Sequence, residues 1–108
     1  VSENYVNETR FAQQFTSGKF SIKHWGKMRI KRELKMRGVS DYDINKAIKT
    51  IEAGAYLEKL HALSDKRWQQ LDGYGAQTKK QKLFQYLAYR AWETDLIYQQ
   101  INRLSSGD

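Results

Sequence analysis

The chain has 108 residues, of which 40% are hydrophobic, and it contains neither proline nor cysteine. This length suits one domain, or two very small units that share a core, and the lack of cysteine excludes disulfide bonds and thiolate metal sites. Nineteen basic residues against twelve acidic ones give a formal charge of +7. Such a charge favours a polyanionic partner, which would be nucleic acid, an acidic protein surface or a membrane surface.

The composition predicts an all-α protein. Proline interrupts helices, so its absence fits a mostly helical chain, and helix-forming residues dominate the sequence. Helical spacing of apolar residues predicts six helices, at residues 3–16, 26–37, 41–51, 55–71, 77–90 and 93–104. Ser17 and Gly18 are expected to loosen the chain after the first of them.

The turn between the second and third predicted helices carries two local signals. Gly38 follows the second helix at the C′ position, where a left-handed conformation is easy only for glycine. Ser40 precedes the third helix, and Asp43 lies three residues later, which is the spacing of a capping box. The residues Ile30, Leu34, Ile44 and Ile48 are predicted to form the core of these two helices.

In the second half, the residues Asp72–Gly75 predict a turn, and an internal repeat then becomes visible. At a constant offset of 53, the residues Ile30, Leu34, Arg37, Ile44 and Ile48 recur as Leu83, Leu87, Arg90, Ile97 and Ile101. We therefore predict two tandem three-helix units, residues 1–53 and 54–108, packed side by side into an elongated, curved array. The second unit has Ala91 where the first has Gly38, and Glu93 in place of Ser40, so its middle turn is expected to be built differently.

The second predicted helix is strongly basic. The candidate binding residues of this region are Lys23, Lys27, Arg29, Lys31, Arg32, Lys35 and Arg37. At 100° per residue, Arg29, Arg32 and Lys35 lie on or near the side opposite Ile30 and Leu34. A smaller cluster, Lys79, Lys80 and Lys82, opens the equivalent helix of the second unit, which favours one extended binding edge. The alternative is an ordinary solvated face, but such a face usually mixes charges of both signs.

No pattern in the sequence indicates an enzyme, a metal site or a cofactor. His24 and His61 stand apart without a second ligand at helical spacing. The isolated glycines form no phosphate-binding loop. Trp25, beside the basic helix, is expected to pack rather than to stack on bases.

Two stretches carry a family resemblance. Residues Tyr5–Ala12 show a tyrosine, acidic and amide positions, and then Arg-Phe-Ala. At the right distance follow Ile30, Leu34, then Arg37-Gly38-Val39, and Ile44 with Ala47-Ile48. This combination resembles RecX, the family of regulatory proteins that control the RecA recombinase filament. The second half is similar to the last repeat of that family, through Lys82-Leu83, Leu87, Arg90, Trp92 and Ile97.

The resemblance implies both an architecture and a function. The family has three tandem three-helix repeats, so this chain would hold the second and third. The chain opens on Val1 rather than Met, so we expect its natural start to lie upstream. The implied function is binding to the RecA–DNA filament, with modulation, mostly inhibition, of its ATP hydrolysis and strand exchange in recombination and repair. We expect a cytoplasmic monomer that does not bind membranes.

The alternative is a helix-turn-helix-like module that binds DNA without sequence preference. Its recognition helix would be residues 41–51, and the acidic Asp41 and Asp43 at the start of that helix would face phosphate. The basic residues lie on the preceding helix instead, where contacts would reach only the backbone. On either reading, DNA alone, single- or double-stranded, is expected to bind weakly and with a steep dependence on salt.

Overall fold

The computed structural model describes residues 2–106, with side chains from Glu8 onward. It contains six helices: α1 (Ser2–Ser21), α2 (Lys27–Met36), α3 (Asp41–Lys49), α4 (Ala53–Gln70), α5 (Ala76–Tyr89) and α6 (Thr94–Ser106). The all-α prediction is confirmed. The side chains of Tyr5 and Val6, which the sequence comparison used, lie outside the described residues.

Helix α1 is longer than predicted. The expected break at Ser17 and Gly18 is wrong, because the helix continues through both residues to Ser21. Gly18 has open space where a side chain would lie, and a single glycine costs a helix only about 1 kcal/mol relative to alanine. The extra turn carries Phe20 to the neighbouring unit, where it packs against Tyr56 with ring centroids 5.9 Å apart.

The first three helices form the first repeat, and the last three form the second repeat. Within each repeat the helices pack around residues that the offset of 53 predicts, and all of these are buried: Ile30, Leu34, Ile44 and Ile48, with Leu83, Leu87, Ile97 and Ile101. The buried residues of both repeats belong to one continuous cluster. The molecule is elongated, with extents of 56 × 24 × 21 Å, as side-by-side repeats require.

The middle turns of the two repeats share one backbone, so the expectation that they differ is wrong for the path of the chain. It holds for the side chain after the turn, because Ser40 caps α3 while Glu93 accepts from the Tyr56 hydroxyl. Gly38 has φ +82° and Ala91 has φ +62°, both in the left-handed region. Val39 N–H donates to the Leu34 carbonyl at 3.1 Å, and Trp92 N–H donates to the Leu87 carbonyl at 3.2 Å. Alanine therefore makes the glycine turn, although the left-handed conformation costs an L-residue about 1–2 kcal/mol.

The predicted capping box at the start of α3 is formed in part, because Ser40 caps the helix while its own N–H donates to the Glu8 carboxylate at 3.1 Å. The Ser40 hydroxyl accepts a hydrogen bond from Asp43 N–H and donates to the Asp43 carboxylate, both at 3.2 Å. Asp43 is only 1% exposed and also accepts from the Thr9 hydroxyl at 2.8 Å. Because a carboxylate in the first turn faces the positive end of the helix dipole, this buried charge is stabilised where it lies. It also ties α1 to α3.

Candidate functional site: the basic helix and the junction between repeats

The outward side of α2 is both basic and apolar. Ile30 and Leu34 are fully buried, which turns Arg32 directly away from the core. Met28 and Met36 lie one turn before and after Arg32, and they are 57% and 74% exposed. We call Met28, Arg32 and Met36, with the adjacent Lys31 and Lys35, the outer face of α2. Methionine and arginine are both enriched in the centres of protein interfaces.

The predicted basic residues of this region differ in their surroundings. Lys23, Lys31 and Arg32 are exposed, and within the described residues none of them has an ion pair. Lys35 pairs with Asp41 at 2.6 Å, while Arg37 pairs with Glu33 at 3.0 Å. Exposed pairs of this kind contribute little to stability, so Lys35 remains available to a partner.

Two other predicted site residues serve the contact between repeats. The Arg29 guanidinium donates to the Tyr89 carbonyl at 3.1 Å, and it lies over the rings of Trp25 and Tyr89, 4.3 Å and 5.0 Å from their centroids. The Lys27 ammonium lies 4.5 Å from the centroid of the Tyr56 ring. The sequence-based placement of Arg29 on the free side of α2 is therefore only partly right, because its head is held by the second repeat.

The contact that we call the junction joins residues 24–29 of the first repeat to Tyr56 and residues 89–93 of the second. Gly26 N–H donates to the Arg90 carbonyl at 2.8 Å, and the Trp92 indole donates to the His24 carbonyl at 3.0 Å. A Cβ on Gly26 would lie 2.5 Å from the Ala91 carbonyl oxygen. Glycine is therefore required here for the close approach of two backbones rather than for an unusual φ.

Tyr56 lies at the centre of the junction. Its hydroxyl accepts from Lys27 N–H at 2.9 Å and donates to the Glu93 carboxylate at 2.5 Å. Its ring packs against Trp92 with centroids 4.5 Å apart. Burial, reinforced by the bond to Glu93, raises the pKa of Tyr56 far above its ordinary range, so the hydroxyl stays protonated. One side chain thus connects α2, α4 and the start of α6, which holds the two repeats in a fixed relation.

Trp25 packs against the core as predicted, with its ring in edge contact with Phe15 at 6.2 Å. His24 beside it is half-buried and has φ +62°. Burial first, and then the nearby charges of Lys59, Arg90 and Lys66, lower the pKa of His24. These surroundings favour the neutral imidazole in the folded protein.

In the second predicted basic cluster, Lys79 and Lys82 contact other side chains of the protein and are less available to a partner than Lys31 and Arg32. Lys79 is 4.3 Å from the Trp68 ring centroid and pairs with Asp72 at 3.5 Å. Lys82 lies 4.8 Å from the Tyr74 ring centroid. Lys80 lines a groove between α5 and α6. Whether these lysines and the outer face of α2 act as one binding edge stays a prediction.

Sequence reasoning missed the apolar half of the site. The spacing of Met28 and Met36 around Arg32 was visible, since residues four apart share one face of a helix. The hydrogen bond from Arg29 to the Tyr89 backbone could not be predicted from local sequence patterns, because it joins residues 60 positions apart. Among the described residues there is no group of three or more potential metal ligands, and none of their helices combines the length and apolarity needed to cross a membrane.

Two family models match the chain. The second three-helix domain of RecX matches residues 7–48, and the third three-helix domain of RecX matches residues 55–101. The chain belongs to the RecX family. The matched ranges lie on either side of the predicted boundary between residues 53 and 54, whose position stays a prediction.

Curated relatives agree with this assignment. A protein named Regulatory protein RecX from Pseudomonas savastanoi pv. phaseolicola is 31% identical over 108 residues, which cover 99% of this chain and 64% of that protein. Its namesake from Clostridioides difficile is 28% identical over 107 residues, covering 99% of this chain and 50% of the relative. The chain thus spans about half the length of the latter relative. No solved structure matches the chain significantly.

Proposed function

We propose that the chain binds the RecA–DNA filament through the outer face of α2 and modulates, mostly inhibits, its ATP hydrolysis and strand exchange. The observation that carries the proposal is the placement of Arg32 between two exposed methionines on a basic helix. The methionines offer adaptable apolar contact. Arg32 offers paired hydrogen bonds to carboxylate or phosphate.

The shape of the molecule supports the same proposal. The extents of 56 × 24 × 21 Å suit a monomer lying along a groove, and the ties at Gly26 and Tyr56 keep both repeats aligned. A rigid molecule loses less conformational freedom on binding than two repeats on a loose linker would. The surplus positive charge would steer the molecule to an acidic, DNA-containing surface.

The helix-turn-helix alternative has less support. Helix α3 would be the recognition helix, yet it begins with Asp41 and Asp43. Asp43 is buried in the capping box, and Asp41 pairs with Lys35. Contacts of the chain with DNA alone would therefore go to phosphates, without sequence preference.

The test is charge reversal on the outer face of α2, with Lys31, Arg32 and Lys35 changed together to Glu. Arg29 is left in place because it holds the junction. We expect the inhibition of RecA-driven ATP hydrolysis on single-stranded DNA to weaken by at least about tenfold, since a central interface arginine alone is often worth about 2 kcal/mol or more. Unchanged circular dichroism and melting would show that the fold is intact.

A matched control carries the same change of net charge elsewhere. Lys46, Lys49 and Lys66 are exposed and lie outside α2, and their joint change to Glu should reduce inhibition much less. Equal loss in both triple variants would mean that net charge, rather than the outer face of α2, determines binding. Full inhibition by the folded α2 variant would place the binding surface elsewhere.

A further inference from the structure

The second repeat carries a groove of about 650 Å³ between α5 and α6. Its polar lining consists mostly of side-chain amides, among them Gln81, Gln85 and Asn102, and Lys80 is its one charged residue. The groove is therefore polar, but almost all of its polar side chains are uncharged. An amide supplies both a hydrogen-bond donor and an acceptor.

An aromatic pair completes the groove. The rings of Phe84 and Tyr98 contact each other with centroids 5.4 Å apart and planes tilted by 38°. Phe84 is half-buried, whereas Tyr98 is 53% exposed. Much of the Tyr98 ring surface thus remains open to a ligand, and the buried Ile97 and Ile101 of the same helix hold α6 against the core.

The equivalent groove of the first repeat, of about 390 Å³, has a different chemistry. It is lined by Lys31, Arg32 and Lys35 on α2 and by Asp41, Ile44 and Asn45 on α3. At the offset of 53 the three α2 positions are Phe84, Gln85 and Ala88 in the second repeat. The positions that line both grooves thus change from Lys31, Arg32 and Asn45 in the first to Phe84, Gln85 and Tyr98 in the second. The second groove is suited to a ligand with a flat face and a hydrogen-bonding edge.

We propose that this groove binds an unstacked base of single-stranded DNA. The base would stack on Tyr98, its edge would hydrogen-bond to the amides, and Lys80 would pair with an adjacent phosphate. Aromatic side chains are the usual platforms for single-stranded bases, and amide side chains match the donor and acceptor pattern of base edges. The inference rests on the proposed function in taking DNA as a partner, but it does not require RecA.

A protein segment fits the lining less well. An amphipathic helix would place apolar side chains against the groove, and the amides would then lose water without gaining hydrogen bonds, which is costly. An acidic segment would find only Lys80 as a charge partner. A base brings one apolar face, one polar edge and one phosphate, and the groove provides a counterpart for each.

The test measures binding of the whole chain to fluorescent oligo(dT) of about 12 nucleotides, within the length that small single-strand-binding folds contact, and to an abasic strand of equal length. We expect Tyr98→Ala to weaken oligo(dT) binding by about 5- to 160-fold, because stacking contributes that much per base. On the abasic strand and on duplex DNA the variant should bind like the parent. Tyr98→Phe, which keeps the ring, should retain oligo(dT) binding to within about twofold.

The control is Tyr42→Ala, which removes another exposed tyrosine, on α3 of the first repeat, and should leave oligo(dT) binding unchanged. Equal effects of Tyr98→Ala on oligo(dT) and on the abasic strand, or no effect on either, would overturn the proposal. So would a Tyr98→Ala variant that keeps its oligo(dT) affinity but no longer slows RecA ATP hydrolysis, because the occupant would then be protein. Failure of the α2 variants to affect RecA would leave the oligo(dT) result standing, so the two proposals fail separately.

Discussion

Gly38 in the first repeat and Ala91 in the second make the same left-handed turn with the same hydrogen bonds. In the outer grooves of the same two repeats, by contrast, Lys31 and Arg32 in one are replaced by Phe84 and Gln85 in the other. The turn is kept because buried residues on both sides of it fix the path of the backbone. The grooves differ because exposed side chains contribute little to folding. A repeat can therefore keep its scaffold while it acquires a different ligand.

The largest expected effects concern the shared core. Leu34→Ala and Leu87→Ala remove equivalent side chains that are both fully buried. Each should lower the free energy of unfolding by about 2–5 kcal/mol, because the substitution removes buried apolar atoms and leaves a cavity. Denaturant unfolding, followed by circular dichroism, measures both.

Met36→Ala is the control for this pair, because Met36 is an exposed residue of the same helix as Leu34 and should change stability by less than about 0.5 kcal/mol. A large cost at Leu34 with none at Leu87 would show that the two cores are not equivalent.

Exchange of the turn residues should give smaller changes of opposite sign. Gly38→Ala should destabilise the protein by about 1 kcal/mol, because the left-handed conformation strains alanine. Ala91→Gly should relieve that strain and stabilise the protein by up to about 1 kcal/mol. Part of this gain is offset because glycine raises the conformational entropy of the unfolded chain. Thermal melting of both single variants and of the double variant tests this reciprocity. If both single changes destabilise, the two turns are not interchangeable.

The smallest effect is a pH dependence from His24, which has no counterpart in the second repeat because the equivalent residue is Gln77. The folded protein lowers the pKa of His24 below 6.5, so near that pH the unfolded chain binds the proton more readily. The contribution of His24 to stability is therefore fully present above pH 6.5 and is lost as the pH drops toward the lowered pKa. His24→Asn, which tolerates the left-handed backbone, should lose less stability than the parent between about pH 7.5 and 5.5 in urea unfolding. Identical losses would contradict a neutral His24 in the fold.

Local signals predicted most of the fold. Helical spacing placed all six helices to within a few residues, except that α1 continues to Ser21, and the Ser40 cap of α3 was visible as a short motif. The wrong predictions arose where tertiary packing outweighed the weak conformational preference of a single residue. Gly18 does not end α1, and Ala91 makes a turn that the sequence assigned to glycine.

The candidate site was less predictable than the fold. Helix geometry identified Arg32 and Lys35 as outward-facing, and both are exposed. It could not show that Arg29 reaches the Tyr89 carbonyl, because no local pattern encodes the relative placement of two repeats. The pairing of Phe84 with the exposed Tyr98 had no signal in the sequence either, since it depends on how α5 and α6 pack.

The junction also bears on the order in which the molecule folds. Its hydrogen bonds from Arg29 to Tyr89 and from Trp92 to His24 join residues 60 and 68 positions apart, whereas the capping box closes over three. Contacts of large sequence separation carry a high entropic cost until the intervening chain is ordered. We therefore expect each three-helix unit to form first and the junction to close last. The junction would then contribute little to the folding rate and would chiefly slow unfolding.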